Sequence, residues 1–319
     1  MGKLLKKSAA NDFFRSLQKK GSLYAPVSTD MVRFQHIKTP EALRSIDFDG
    51  HAFFPPKKYL LPNEEELFTI KQGKLQDTNQ SLPPQFVVNV RLCDLNAIAI
   101  LDKLYLDPDY PDPYYKAKRD ATTFIGINCK REIDEYCFCG SMDLQRAYDL
   151  LLDDRGEHYY IDVRSDKGMA LVKELPDAPE QQDPTLPKTS KVLDQKDLHQ
   201  FFADKWWEGD NELCVSCQRC TALCPTCFCF DVKDDMDLNL QDGKRLRTID
   251  SCHSADFTTV AGDHTFRSSR LQRYRHRVMH KLQYYKDTFE RSMCTGCGRC
   301  IRYCHSKIDF VKTINEDFK

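Results

Sequence analysis

The chain has 319 residues, 41% of them hydrophobic, which is enough for real cores and, at ordinary domain size, for about two domains. Lysine and arginine number 47 against 48 acidic residues, so the formal net charge of −1 gives no global sign of a nucleic-acid or lipid partner. Fifteen cysteines would suit a disulfide scaffold in a short secreted chain, but MGKLLKKSAANDFF at the start has no apolar leader core, and no run approaches the ~18 apolar residues of a membrane span. The thiols are therefore expected to serve metal in a reducing, cytoplasmic setting.

In chain order, Phe86-Val87-Val88-Asn89-Val90, Thr123-Phe124-Ile125-Gly126-Ile127 and Tyr159-Tyr160-Ile161-Asp162-Val163 read as strands, and Asp94 to Leu106 and Asp143 to Leu152 carry helical spacing. Strands alternating with helices favour a mostly parallel sheet, which makes residues 1–172 an α/β domain. Residues 173–190, KELPDAPEQQDPTLPKTS, are rich in proline and polar groups, lack periodicity and read as a linker. Beyond it, Leu193 to Trp207 is expected as a helix with Leu198, Phe201, Phe202 and Trp206 as its apolar stripe.

Two near-copies of one pattern follow, Cys214-x2-Cys217-x2-Cys220-x3-Cys224-Pro225 and Cys294-x2-Cys297-x2-Cys300-x3-Cys304, with their first cysteines 80 residues apart. Three cysteines at intervals of three wrap a tight loop over three corners of a cube, while the fourth points away and, in two-cluster ferredoxins, ligates the other cluster. The spacing thus assigns Cys214, Cys217, Cys220 and Cys304 to one [4Fe–4S] cluster and Cys294, Cys297, Cys300 and Cys224 to a second. Gly296 and Gly298 stand where the backbone must curl and present N–H groups to sulfide. Zinc also uses Cys-x2-Cys pairs, but has no use for the longer pattern occurring twice. Residues 191–319 are accordingly expected as a mainly helical, ferredoxin-like dicluster domain with a long insertion between the motifs, and the whole chain as α+β.

Within that insertion, Arg267, Arg270, Arg273, Arg275, Arg277 and Lys281 crowd into one stretch. A basic helix can grip a phosphate backbone, lie solvated on a surface, or stabilise anionic clusters and tune their potential. Cluster electrostatics is weighed ahead of nucleic acid.

Cys93 and Cys129 each follow a strand, and Cys137-Phe138-Cys139 lies a short loop further on. In a parallel sheet the strand ends share one edge, where α/β folds place ligands, so these four thiols are read as the ligands of a third [4Fe–4S] cluster rather than as separate buried hydrophobes. Cys227, Cys229 and Cys252 are given no ligand role: with His253 or Asp256 they could hold metal, or they could simply lie near the dicluster. No glycine-rich dinucleotide loop, Walker motif or nucleophile with its base is present, so substrate chemistry is expected on another chain.

The run Asp250-Ser251-Cys252-His253, Phe257-Thr258, Ala261-Gly262, Phe266-Arg267 and Arg273-Tyr274-Arg275-His276-Arg277, ending in Cys294-Thr295-Gly296-Cys297-Gly298-Arg299-Cys300, resembles the iron–sulfur beta subunit of cytosolic sulfhydrogenases, a family that includes the corresponding iron–sulfur subunit of anaerobic sulfite reductases. Phe54-Pro55-Pro56-Lys57-Lys58, Arg91-Leu92-Cys93-Asp94-Leu95, Asp112-Pro113-Tyr114-Tyr115 and the cysteines from Cys129 to Cys139 extend the likeness over the N-terminal half. The resemblance implies an electron-transfer subunit that links a catalytic module, either a [NiFe] hydrogenase or a sirohaem sulfite reductase, to a flavin- and NAD(P)-binding subunit. Leu92 and His305 depart from the prolines common in relatives, and neither removes a ligand. Against this relay stand two other readings, a chain that is itself a reductase with an open cluster site, and a nucleic-acid-binding iron–sulfur protein.

Overall fold

The computed structural model describes residues 2–78, 81–179, 184–185 and 187–318. The N-terminal half contains strands β1 (Gly2–Lys6), β2 (Ser22–Ser28), β3 (Val32–His36), β4 (Glu64–Lys71), β5 (Lys74–Asp77), β6 (Gln85–Arg91), β7 (Thr122–Ile127), β8 (Leu150–Asp154) and β9 (His158–Val163), with helices α1 (Ala10–Gln18), α2 (Leu92–Tyr105), α3 (Pro113–Ala121) and α4 (Asp166–Val172). The main sheet runs β1-β9-β8-β7-β6-β2-β3. Its four central strands, β8, β7, β6 and β2, are parallel, and antiparallel strands close both edges.

Burial explains the sequence pattern of the central strands. A parallel strand covered on both faces reads as a continuous apolar run, and β6 alternates its side chains between two cores. Phe86 and Val88 join Phe14, Leu17 and Ile161 on one face, while Val87 and Val90 join Leu95, Ile98 and Leu101 of α2 on the other. A bulge at Asn89, whose φ is +63°, shifts the register against β7 and re-aims the end of β6 just before Arg91 and Cys93.

The C-terminal half holds α5 (Trp206–Leu213), α6 (Arg219–Ala222), β10 (Phe230–Met236), β11 (Gly243–Ile249), α7 (Arg270–Met279), a π-helical turn at His280–Tyr284, α8 (Tyr285–Phe289), α9 (Arg299–Arg302) and α10 (Phe310–Glu316). Strands β10 and β11 join β4 and β5 in a second sheet, so the insertion between the cysteine motifs is built onto residues 64–77. Phe138 and Met142 lie in the same core as Trp207, Tyr274, Phe310 and Ile314.

Two expected helices are replaced. The segment expected as a helix over 143–152 is irregular until β8, because Leu150, Leu151 and Leu152 form a buried strand between β7 and β9. The Asn96 side chain ties the irregular part down, bonding both the N–H and the carbonyl of Gln145. The helix expected over 193–207 is a short 3-10 turn at Leu198–Phe201, and α5 starts only at Trp206. Gln283 takes the Leu198 N–H and Asp204 takes that of Trp206, which resets the register. Trp207, 1% exposed, fills the core in place of Trp206, which is 43% exposed. Positions 180–183 and 186 of the expected linker lie outside the described residues.

Candidate metal centres

The two motif loops have the same local construction. Ser216 and Gln218 in the first, Gly296 and Gly298 in the second, all take positive φ, between +52° and +73°. In each loop the residue two past the first cysteine donates its N–H to that cysteine's sulfur at 3.4 Å, Ser216 to Cys214 and Gly296 to Cys294. A one-turn helix then carries the third cysteine, Cys220 in α6 and Cys300 in α9. The second loop needs glycine for a further reason. A Cβ on Gly296 would lie 2.5 Å from the Cys139 backbone, and one on Gly298 2.4 Å from the Tyr136 carbonyl.

Two adjoining cavities divide the eight motif cysteines. One is lined by Cys214, Cys217, Cys220 and Cys304, together with Cys300. The other is lined by Cys294, Cys297, Cys300 and Cys224. Cys300, Arg277 and Phe310 border both, so the cavities share a wall. Buried polar atoms without partners line them: Ser216 Oγ, Arg277 Nε and both ring nitrogens of His253 around the first, Thr295 Oγ1 at the second. Buried polar groups are normally satisfied, so this donor set, with thiols at every corner, fits a sulfide-rich cluster in each cavity. Burial pushes the Cys294, Cys297 and Cys300 thiols upward, and Cys297 reaches about 12. Metal binding displaces such protons.

The basic stretch turns half of its charge inward. Arg273, Arg277 and Lys281 recur at i, i+4 and i+8 on one face, and all three are buried. Arg277 donates to the Cys220 carbonyl at 3.1 Å, and Lys281 to the Thr226 carbonyl at 3.0 Å and to the Met293 sulfur at 3.3 Å. Lys57, from the Phe54 to Lys58 run, is also buried and donates to the Cys227 carbonyl at 2.6 Å. Arg275 faces outward and stacks 4.0 Å over Phe202.

The four N-terminal cysteines gather at one place. Cys93 is in the first turn of α2 and Cys129 lies just past β7, at the carboxyl ends of adjacent parallel strands. Cys139 is pushed up to about 12, first by burial and then by Cys137 and Cys129, while Cys93 is raised by burial and Asp94 and, among the cysteines, by Cys297 and Cys139. Cationic donors surround them: Arg91 reaches the Cys129 sulfur at 4.0 Å and Arg302 the Cys137 sulfur at 3.9 Å. His51, held neutral by burial and by Arg299, Arg302 and Arg91, accepts from Arg302 at Nδ1 and so turns its Nε2–H toward Cys93, 4.0 Å away. Arg302 Nε has no partner.

This N-terminal site is locked to the second motif. Phe138 N–H donates to the Gly296 carbonyl at 2.9 Å. Arg299, between Cys297 and Cys300, makes paired bonds of 2.6 and 2.8 Å to Asp94, the neighbour of Cys93, and a third of 2.8 Å to the Ala52 carbonyl. His51, Cys93 and Asp94 put ligand atoms within 4.8 Å of one another, but Arg299 takes both Asp94 oxygens, which commits that carboxylate to the ion pair. Sequence reasoning missed Asp94, Arg299, Lys57 and His51. The one available signal was a charged residue beside a cysteine, in Cys93-Asp94 and Arg299-Cys300.

Comparison with known proteins agrees with this geometry. A family model described as the 4Fe-4S dicluster domain matches residues 213–308, which makes the C-terminal part a two-cluster iron–sulfur domain. No solved structure matches the chain. Over 326 aligned residues, covering 96% of this chain and 95% of the relative, the sequence is 32% identical to sulfhydrogenase 2 subunit beta of Pyrococcus furiosus. The chain belongs to the family of sulfhydrogenase beta subunits and is an iron–sulfur electron-transfer subunit. Among the described residues no helix is long and apolar enough to cross a membrane.

Proposed function

We propose that this chain relays electrons through three [4Fe–4S] clusters, between a cytoplasmic [NiFe] hydrogenase module and a flavin- and NAD(P)-binding subunit. In this reading Cys214, Cys217, Cys220 and Cys304 hold one cluster, Cys294, Cys297, Cys300 and Cys224 the next, and Cys93, Cys129, Cys137 and Cys139 the third. The observation that carries the reading is contiguity: the first two cavities share Cys300, and the Phe138 to Gly296 bond together with the Arg299–Asp94 pair fastens the N-terminal site to the second loop. The dicluster part, 191–319, and the α/β part, 1–172, then act as one conductor joined by residues 173–190. Clusters held by thiolates are anionic, and Lys57, Arg277, Lys281 and Arg91 supply the compensating charge, Arg302 being paired with Asp134.

The test is anaerobic purification of the native protein with its co-purifying chains, assayed for hydrogen oxidation and sulfite reduction. A nickel-containing partner with hydrogen uptake supports the reading. A sirohaem partner makes the chain a sulfite reductase relay instead, and turnover by the isolated chain would refute a purely relaying role.

A further inference from the structure

Two cysteines outside those ligand sets meet where the insertion leaves the first motif. Strands β10 and β11 pair from Phe230 and Ile249 onward, and one residue before them the Asp250 N–H donates to the Cys229 carbonyl at 2.9 Å. The turn that follows, Ser251-Cys252-His253, is thereby laid beside Cys229, and Ser251 is pinned to Thr221 of α6 at 2.7 Å. The Cys229 and Cys252 thiols lie close enough to shift each other's protonation, Cys229 downward and Cys252 upward. Cys227 acts in the same way on Cys224, which ties it to the ligand set.

Two buried cations stand near the pair, and both feel Cys227 and Cys224 before Cys229. Lys57 and Lys281 are both buried, and their hydrogen bonds go to neutral acceptors, the Cys227 and Thr226 carbonyls, the Thr226 hydroxyl and the Met293 sulfur. Among the described residues neither ammonium has a carboxylate partner. A buried ammonium without an anion is costly. The neighbouring Cys252, aided by Lys281 and Lys57, pulls the Cys229 thiol below its ordinary value, and burial opposes them.

We propose that Cys229 and Cys252 form a redox-active dithiol and disulfide couple beside the dicluster, a two-electron store on a one-electron wire. It rests on the iron–sulfur reading only for its supply of electrons. Reduction breaks the Sγ–Sγ bond and takes up two electrons, delivered singly by an iron–sulfur centre, and one proton from solvent. Cys252 becomes the thiol, and Cys229 the thiolate that accepts its hydrogen bond. Oxidation forms the bond and returns both electrons and the proton. Cys252 is only 4% exposed, so a bulky external thiol can attack the couple only at the partly exposed Cys229.

The test uses the full chain, poised anaerobically at a series of potentials with mediator dyes, trapped with N-ethylmaleimide under denaturing conditions, digested and read by mass spectrometry, with iron counted on the same samples. A Cys229 to Cys252 linked peptide is expected at oxidising potentials, giving way to the doubly alkylated form along a curve with the slope of a two-electron couple. Cys229→Ser and Cys252→Ser should each abolish that curve and keep the iron content of the parent. Both thiols alkylated at every potential would overturn the proposal, as would loss of iron from Cys252→Ser, which would make Cys252 a ligand. The parent chain carries the main readout, so a variant that fails to fold does not remove the test. A two-electron curve in protein that lacks iron would sink the relay and leave the couple standing.

Discussion

The Arg299–Asp94 pair is the strongest single link between the N-terminal site and the dicluster, and its removal has a calculable cost. Both side chains are essentially inaccessible, at 0% and 2% exposure, and two charge-assisted bonds join them. Removing one partner of such a pair leaves an uncompensated buried charge, at about 3–5 kcal/mol. That is roughly a fifth or more of the ~5–15 kcal/mol that typical folds hold in reserve. For Asp94→Asn and Arg299→Met, at about 2–3 °C per kcal/mol for a large domain, the melting temperature should fall by roughly 6–15 °C at a fixed scan rate. Iron should fall with it, since Asp94 adjoins Cys93 and Arg299 lies between Cys297 and Cys300. The double variant Asp94→Leu, Arg299→Met replaces the pair with apolar groups and should recover most of the loss. Single variants within about 1 kcal/mol of the parent, or a double variant whose cost is the sum of the two, would refute the reasoning, because strongly coupled residues are not additive.

Other perturbations follow from the same geometry. Gly296→Ala incurs the left-handed backbone cost of about 1–2 kcal/mol and also drives a Cβ into the Cys139 backbone, whereas Gly156→Ala, with φ of +86° and nothing within 4 Å, incurs only the first. Urea midpoints and iron content should therefore separate the two, and equal losses would show that the loops do not abut. Lys281→Met removes a buried cation beside the second cavity; reduction adds negative charge there, so the midpoint potential read by redox-titrated electron paramagnetic resonance should become more negative. A rise would contradict the charge-compensation role. His276 and His280 are each held down to about 4, by burial first and then by neighbouring cations including Lys281. The unfolded chain takes up these protons near pH 6.5 and the folded chain only near 4, so their contribution is complete above about pH 6.5 and is lost as pH falls toward 4. The slope is below the ideal ~1.4 kcal/mol per pH unit for each histidine because both are partly exposed. His276→Gln with His280→Gln should flatten the fall in urea midpoint between pH 7 and 5, and an unchanged slope would exclude these groups as its source.

What was legible in the sequence was local. The cysteine spacings prescribe the loop-and-turn geometry found at both motifs, and β-branched runs such as Phe86 to Val90 declare buried strands. Two of the four N-terminal cysteines, Cys93 and Cys129, follow strands whose parallel pairing brings their ends to one edge, as the strand pattern in the sequence suggests. What depended on distant partners was not readable. Leu150, Leu151 and Leu152 fit a helix or a buried strand equally, and only the neighbours β7 and β9 decide between them. The registers of 143–152 and 193–207 were reset by Asn96 and Gln283, single side chains far away in the chain. Asp94 meets Arg299 across 205 residues, and Lys57 meets Cys227 across 170, separations at which no spacing rule operates. The inward face of α7 was visible in outline, as cations at Arg273, Arg277 and Lys281, but its direction was not.

The most direct test of the relay is the iron and acid-labile sulfide content of anaerobically purified protein, with its visible spectrum before and after dithionite. Three cubanes require about twelve iron atoms and about twelve sulfides per chain, and a broad brown absorbance that bleaches on reduction. About eight irons would remove the N-terminal cluster and leave the dicluster, and a colourless protein loaded with zinc would contradict the relay altogether.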